Sequence, residues 1–186
     1  MATTSVKQPK NISGEIEVRR LTPSEARRLT PDLARVLVDC VEGGASVSFM
    51  SPFEQSGGEA FFAKVADGVE AGERILLAGF AEGTLVGTVQ IVTSTPPNQP
   101  HRADVAKLLV MRSARGWGVA RRLMEEVERQ ALTAGRTLLV LDTVTGGDAE
   151  RLYQRMNWVK AGVIPNYALF PDGRLTATTI FWKALV

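Results

Sequence analysis

Arg115-Gly116-Trp117-Gly118-Val119-Ala120-Arg121 follows an apolar run that ends at Val110 and opens a pattern in which Val119, Leu123, Val127 and Ala131 recur on one helical face. An apolar strand therefore delivers the chain to the first turn of a helix, where backbone N–H groups lack partners and carry partial positive charge. Gly116, Gly118 and Ala120 let an anion come close, and Arg115, Arg121 and Arg122 add charge. The chemistry this predicts is phosphate binding. A glycine pair before a helix also reads as a ligand-free tight turn. Two other phosphate loops are excluded, since no lysine followed by Ser or Thr comes after the glycines and the glycine spacing of a dinucleotide fingerprint is not met.

Arg115 to Ala120 matches the Gln/Arg-x-x-Gly-x-Gly/Ala signature and resembles the GNAT superfamily of N-acetyltransferases. Ala103 to Val110 is similar to the strand that precedes that signature, and Ala149 to Trp158 to the later Ala-x-x-x-Tyr-x-x-x-Gly-Phe segment, with Asn157 and Trp158 in place of glycine and phenylalanine. Asparagine also accepts the left-handed conformation that ends a helix. The asparagine that many members carry just ahead of the tyrosine helix is not evident. The resemblance implies acetyl-coenzyme A as cosubstrate, with its pyrophosphate on the backbone of Arg115, Gly116, Trp117, Gly118, Val119, Ala120 and Arg121. It also implies that main-chain groups of Leu108 and Val110 pair with the pantetheine arm.

Acetyl transfer to an amine needs a neutral amine, a donor for the developing oxyanion and a proton for the departing thiolate. By the resemblance, Tyr153 is the proton donor; as a residue of a helix it also reads as a core tyrosine beside Leu152 and Met156. Asp104 matches an acidic position of the family strand and is the expected base, with a solvated strand-end carboxylate as the alternative. His101, the only histidine, and Arg102 are expected to hold an acidic group of the substrate, or else to lie on the surface. The oxyanion donor is expected to be a backbone N–H near Val110 or Met111.

These groups need a frame. Glu15 to Arg19 alternates as a strand, Thr22-Pro23-Ser24-Glu25 starts a helix that runs to about Val41, and Thr30-Pro31-Asp32 repeats the start signal. A helix is expected at 59–69, strands at 74–81 and 84–92 about a Glu82-Gly83 turn, and a strand at 103–111. A helix at 117–133, a strand at 137–142, a helix at 148–156 and strands at 159–163 and 176–182 complete the order. The expected fold class is α/β (α+β): a single GNAT-like domain from residue 15 to 186, with a central mixed sheet flanked by helices and a flexible tail at 1–14. Segments 43–58 and 166–173 read as long loops that close over a small substrate.

With 186 residues, 45% apolar and 23% charged, the chain suits one globular domain. A net charge of +2 with 16 arginines spread along the chain argues against nucleic acid as a partner. No apolar run reaches the roughly 20 residues that span a bilayer, and the start lacks the pattern of a signal peptide, so a cytoplasmic protein without membrane contact is expected. The single cysteine, Cys40, reads as a buried thiol, and no metal site is expected. The leading function is acetylation of a primary amine of a small molecule. His101-Arg102-Ala103-Asp104, Val163 to Tyr167 and Pro171 to Leu175 resemble a bacterial subgroup that includes the tabtoxin-resistance acetyltransferase, which implies an amino-acid-like amine. Acetylation of a protein N-terminus or lysine, and a non-catalytic acyl-coenzyme A sensor, are the alternatives. The resemblance also implies a homodimer.

Overall fold

The computed structural model describes residues 15–186; the tail expected at 1–14 lies outside the described residues. The elements are β1 (Ile16–Arg20), α1 (Pro23–Arg28), α2 (Thr30–Glu42), α3 (Gln55–Glu70), β2 (Arg74–Ala81), β3 (Thr84–Val92), β4 (Arg102–Val110), a 3₁₀ turn at Arg112–Ala114, α4 (Val119–Thr133), β5 (Leu138–Val144), α5 (Asp148–Arg155), β6 (Val159–Leu169) and β7 (Leu175–Ala184). The seven strands form one sheet in the order β1-β2-β3-β4-β5-β7-β6. Every neighbouring pair is antiparallel except β4 with β5.

Both faces of the sheet are covered, and β2 shows why its sequence is apolar at nearly every position. Ile75 and Leu77 join a core with Leu123, Met124 and Val127 of α4, whereas Leu76, Ala78 and Phe80 join a second core with Leu33, Leu37 and Phe62 of α2 and α3. Alternate side chains of a strand point to opposite faces, so a strand buried on both sides has little place for polar residues. The β2–β3 hairpin turns on Glu82 and Gly83 with φ of 49° and 75°, the left-handed pair that a two-residue turn of this kind requires.

The first helix breaks at Leu29 into α1 and α2, at the repeated start signal Thr30-Pro31-Asp32. Other boundaries differ from the sequence reading for definable reasons. α3 begins at Gln55, four residues before the expected start, and includes Gly57 and Gly58. A Cβ on Gly58 would come within 2.9 Å of the Ala34 Cβ, so this glycine allows α3 to lie close against α2 and does not break the helix. β6 continues to Leu169, so the loop expected at 166–173 is reduced to a tight turn that closes when Phe170 N–H donates to the Arg174 carbonyl at 2.8 Å.

Gly79 and Gly87 lie opposite each other in the β2–β3 register. A Cβ on Gly87 would meet the Leu109 carbonyl oxygen and Val119 Cγ1 at 3.0 Å each, and one on Gly79 would meet Val119 Cγ1 at 3.2 Å. The first turn of α4 rests on this bare patch of sheet. Overpacking of this kind costs about 1–3 kcal/mol. Gly87→Ala should therefore lower Tm by roughly 2–12 °C, at about 2–4 °C per kcal/mol for a chain of this size. Gly162→Ala, which meets nothing within 4 Å, should stay within about 2 °C of the parent. Equal melting of the two variants would show that α4 does not need the close approach.

Candidate active site

β4 carries one residue too many for its partner β3. Thr88 faces Leu109 and Gln90 faces Ala106, so Lys107 and Leu108 stand against Val89 alone, and Lys107 takes a φ of 54°. A bulge bends its strand and strengthens its twist. β4 and β5 pair only through Arg102–Leu138, Ala103–Leu139 and Asp104–Val140, after which they part. From Val105 onward the side of β4 that faces β5 is left without a strand partner.

The gap is the mouth of a cleft of about 1140 Å³. At one end lies the turn into α4. Gly116 and Gly118 have φ of 85° and 83°, line the cleft and have open space where a Cβ would be. Gly118 is the N-cap of α4, and helix geometry leaves the amides of Val119, Ala120 and Arg121 without an intrahelical acceptor, while Arg122 N–H reaches the Gly118 carbonyl. Arg115 and Arg121 line this end; Arg121 also pairs with Glu125 at 2.9 Å. These features fit a pyrophosphate.

Two arginines near the cradle are used elsewhere, one of them Arg122, which the sequence reading expects to add charge. Arg122 Nη1 donates to the Ile16 carbonyl at 3.0 Å, tying α4 to β1. Arg112 donates to Asp39 through its backbone N–H (2.7 Å) and Nε (2.9 Å), fastening the 3₁₀ turn to α2. The Trp117 side chain packs against the core beside α4 and is not part of the cleft wall. Met111 N–H donates to the Val86 carbonyl at 2.9 Å, which removes it as an oxyanion donor.

Leu108 and Val110 line the middle of the cleft. Behind Val110, the Cys40 thiol donates to its carbonyl at 3.5 Å, and burial pushes that thiol above its ordinary range. Tyr153 enters from α5, whose start is fastened by Glu150. This buried carboxylate accepts from the Gly146 N–H, from Thr179 Oγ1 at 3.3 Å and from Lys160 Nζ at 3.4 Å, and the Gly146 N–H is the main reason it stays below the usual carboxylate range. Asn157, with φ of 61°, then ends the helical segment as expected, and the rings of Trp158 and Phe181 lie 5.8 and 5.9 Å from that of Tyr153. The tyrosine is 4% exposed, and among the described residues its hydroxyl has no hydrogen-bond partner, although the residue lines the cleft. Burial first, and then the charge of Asp142, push its phenol well above the ordinary value.

The far end holds groups the sequence reading did not select. Asp142 on β5 lines the cleft and accepts from Thr178 Oγ1 at 2.9 Å; Lys107 faces it from β4. Residues 43–50 line the cleft beside them, with Asp142 and Ser48 exposed and Lys107 half-buried. Ser46 Oγ donates to the Leu169 carbonyl at 2.7 Å, Ser51 N–H to the Pro171 carbonyl at 3.1 Å, and Phe49 packs on Phe53 and Phe61 at 4.5 and 5.3 Å between ring centres.

Asp104, His101 and Arg102 are not brought to this site. They lie before the bulge, where β4 and β5 are still joined, and do not line the cleft. Arg102 pairs with Asp104, and the His101 carbonyl accepts from Thr137 and Leu138. Lys107 and Asp142 carry one sequence signal: they are the only charged residues within the apolar runs 105–111 and 138–142. Among the described residues no cluster of three His, Cys, Asp or Glu side chains forms a metal site, and no helix is long and apolar enough to cross a membrane.

Comparison with known proteins agrees with this geometry. An uncharacterised N-acetyltransferase in the hisH-hisA intergenic region of Azospirillum brasilense is 32% identical over 106 residues, which are 56% of this chain and 61% of that protein. The fold superposes on an N-acetyltransferase from Staphylococcus aureus Mu50 with a TM-score of 0.77 at 18% identity, covering 92% of this chain and 99% of that one. It also matches a Salmonella typhimurium protein solved with its cofactor acetyl-CoA, with a TM-score of 0.76 at 13% identity and coverage of 92% and 95%. The family model for GNAT acetyltransferases matches residues 44–158, from the cover of the cleft through the cradle to the end of the tyrosine segment, and the chain belongs to that family, whose acetyl donor is acetyl-coenzyme A.

Proposed function

We propose that the chain transfers the acetyl group of acetyl-coenzyme A to a primary amine of a small molecule, by direct attack with both bound. The observation that carries this reading is the continuity of the cleft. A helix-terminal anion cradle, a strand edge at Leu108–Val110 without a strand partner and the tyrosine of α5 follow one another along a single channel. An extended ligand with amide groups can add to a free strand edge as a further strand would. Bound in this way, acetyl-coenzyme A supplies an activated acyl thioester.

Asp142 is better placed than Asp104 to serve the amine. Thr178 occupies one of its oxygens, and the other is free to accept from an incoming ammonium and take its proton, directly or through water. Tyr153 remains protonated throughout the working pH range because burial raises its pKa. Complete transfer of its proton to a thiolate of ordinary pKa, about 8.5, runs uphill from a phenol above about 10. Its role is therefore to donate a hydrogen bond to the sulfur as charge develops there. The only cysteine in the chain, Cys40, is kept as a thiol by burial, which favours direct attack over a covalent relay.

The cover tied to Leu169 and Pro171 narrows the acceptor end, which favours a small amine over a protein N-terminus or lysine. A pure acyl-coenzyme A sensor has no use for an unpartnered tyrosine hydroxyl in the channel. Val163, Ile164, Tyr167 and Leu175 leave an exposed apolar surface on the terminal hairpin, which suits a second copy of the chain.

Acetyl-coenzyme A should raise Tm by mass action, and Gly118→Glu, which places an anion in the cradle, should remove that shift while the protein still folds; an undiminished shift would displace the pyrophosphate from this turn. Tyr153→Phe should lower kcat roughly 10- to 100-fold, the value of a hydrogen bond to a charged group, with little change in acetyl-coenzyme A affinity. A variant that melts lower but turns over normally would mark Tyr153 as core packing alone. Asp142→Asn should slow amine acetylation by at least about tenfold near neutral pH, whereas Asp104→Asn should not. The opposite ranking, read from initial rates with the same amine, would return the base to Asp104.

A further inference from the structure

Lys107 is a cation at the acceptor end of the cleft. It lies three residues before Val110, about 10 Å along the strand from the end that leads into the cradle. Its backbone is in the left-handed region, where a non-glycine residue is uncommon, and this places it at the point where β4 turns from β5. Among the described residues no carboxylate lies within ion-pair distance of its ammonium group, although Lys160 and Lys183 pair with Glu150 and Glu128 at 3.4 and 2.6 Å. Among the described residues its ammonium group donates to Ser48 Oγ alone, at 3.0 Å. Burial pulls its pKa below the ordinary ammonium range, and Asp142 across the gap pulls it partly back.

We propose that Lys107 and Ser48 bind a carboxylate of the acceptor while Asp142 receives its amine, so that the preferred acceptors are amino-acid-like zwitterions. This rests on the acetyl-transfer reading above. The ammonium group has two further N–H donors, and the Ser48 hydroxyl, which accepts from Lys107, keeps its own hydrogen to donate. Together they match the two oxygens of a carboxylate. The opposite wall presents the complementary charge, an aspartate oriented by Thr178. A cation and an anion on the two arms of the split sheet are the image of a molecule that carries both charges a short distance apart. The arginines of the cradle stand at the other end of the cleft and do not compete for this group.

The rival explanation is that Lys107 merely ties the cover to β4 through Ser48. Matched pairs of acceptors separate the two: phenylalanine against phenethylamine, methionine against 3-(methylthio)propylamine, and lysine against cadaverine. The wild-type protein should show a kcat/KM at least tenfold higher for the acid member of the best pair. Lys107→Met should raise KM for that acid roughly 10- to 100-fold more than for its decarboxylated partner, the range of a hydrogen bond to a charged group. Ser48→Ala should give a smaller loss with the same bias, and it keeps the test open if Lys107→Met does not fold. Equal losses on both members, or a wild-type protein that prefers the decarboxylated amines, would overturn the assignment while leaving acetyl transfer intact. Absence of thiol release with every amine, in protein stabilised by acetyl-coenzyme A, would overturn the acetyl-transfer reading and this inference with it.

Discussion

One inserted residue in β4 governs the molecule's capacity to bind anything. If β4 followed β3 without the bulge, its pairing with β5 would continue beyond Asp104–Val140, and Ala106 would sit beside Asp142 in a closed sheet. The extra residue at Lys107 turns the strand aside. Both strands keep their outer partners, β3 and β7, so the sheet remains whole while its centre opens. The opening exposes backbone groups that are rigidly held but unpaired, a combination a loop does not offer. The strain of a left-handed lysine is compensated by pairing on either side of it.

The second requirement is that charge be concentrated where an anion binds. The first turn of α4 is aimed at the cleft because Gly79 and Gly87 permit Val119 to settle on the sheet. Around this turn the arginines are divided by partner. Arg112 and Arg122 hold the turn and the helix to α2 and β1, so that of these four Arg115 and Arg121 face the cleft. The structural arginines position the amides, and the amides and remaining arginines meet the ligand. Charge along a sequence does not reveal this division, since all four residues fall within eleven positions.

What could be read from the sequence was local. The strand, small-residue loop and amphipathic helix around Gly116 and Gly118, the Glu82-Gly83 turn and the helix-ending Asn157 each depend on neighbours a few positions away, and each was legible. The split of the sheet was not, because it depends on how β4 registers with β3 about fifteen residues earlier and with β5 some thirty-five later. This is why the strand sequences point to Asp104 and do not single out Asp142. The two are alike in kind, each a lone acid in an apolar strand, but one lies on the closed side of the bulge and the other on the open side. Gly58 misled for a related reason: its lack of a side chain serves contact with Ala34, a partner twenty-four residues away, and not a turn.

The cover of the acceptor end joins two parts of the chain that are far apart in sequence. Ser46 and Leu169, linked through the serine hydroxyl, are separated by 123 residues, and neither belongs to the two cores that hold the helices to the sheet. The cradle and the tyrosine, by contrast, are anchored in the first core through Val119, Trp158 and Phe181. Gly43 lies against Arg112, and Ala45, Val47, Phe49 and Phe53 pack on the second core, but substitutions at the exposed positions between them and at the tip of the β6–β7 hairpin can accumulate without disturbing the acetyl donor's half of the cleft. Such a division lets descendants of one gene exchange acceptors while retaining the same donor, because selection can act on the cover and on the frame almost independently.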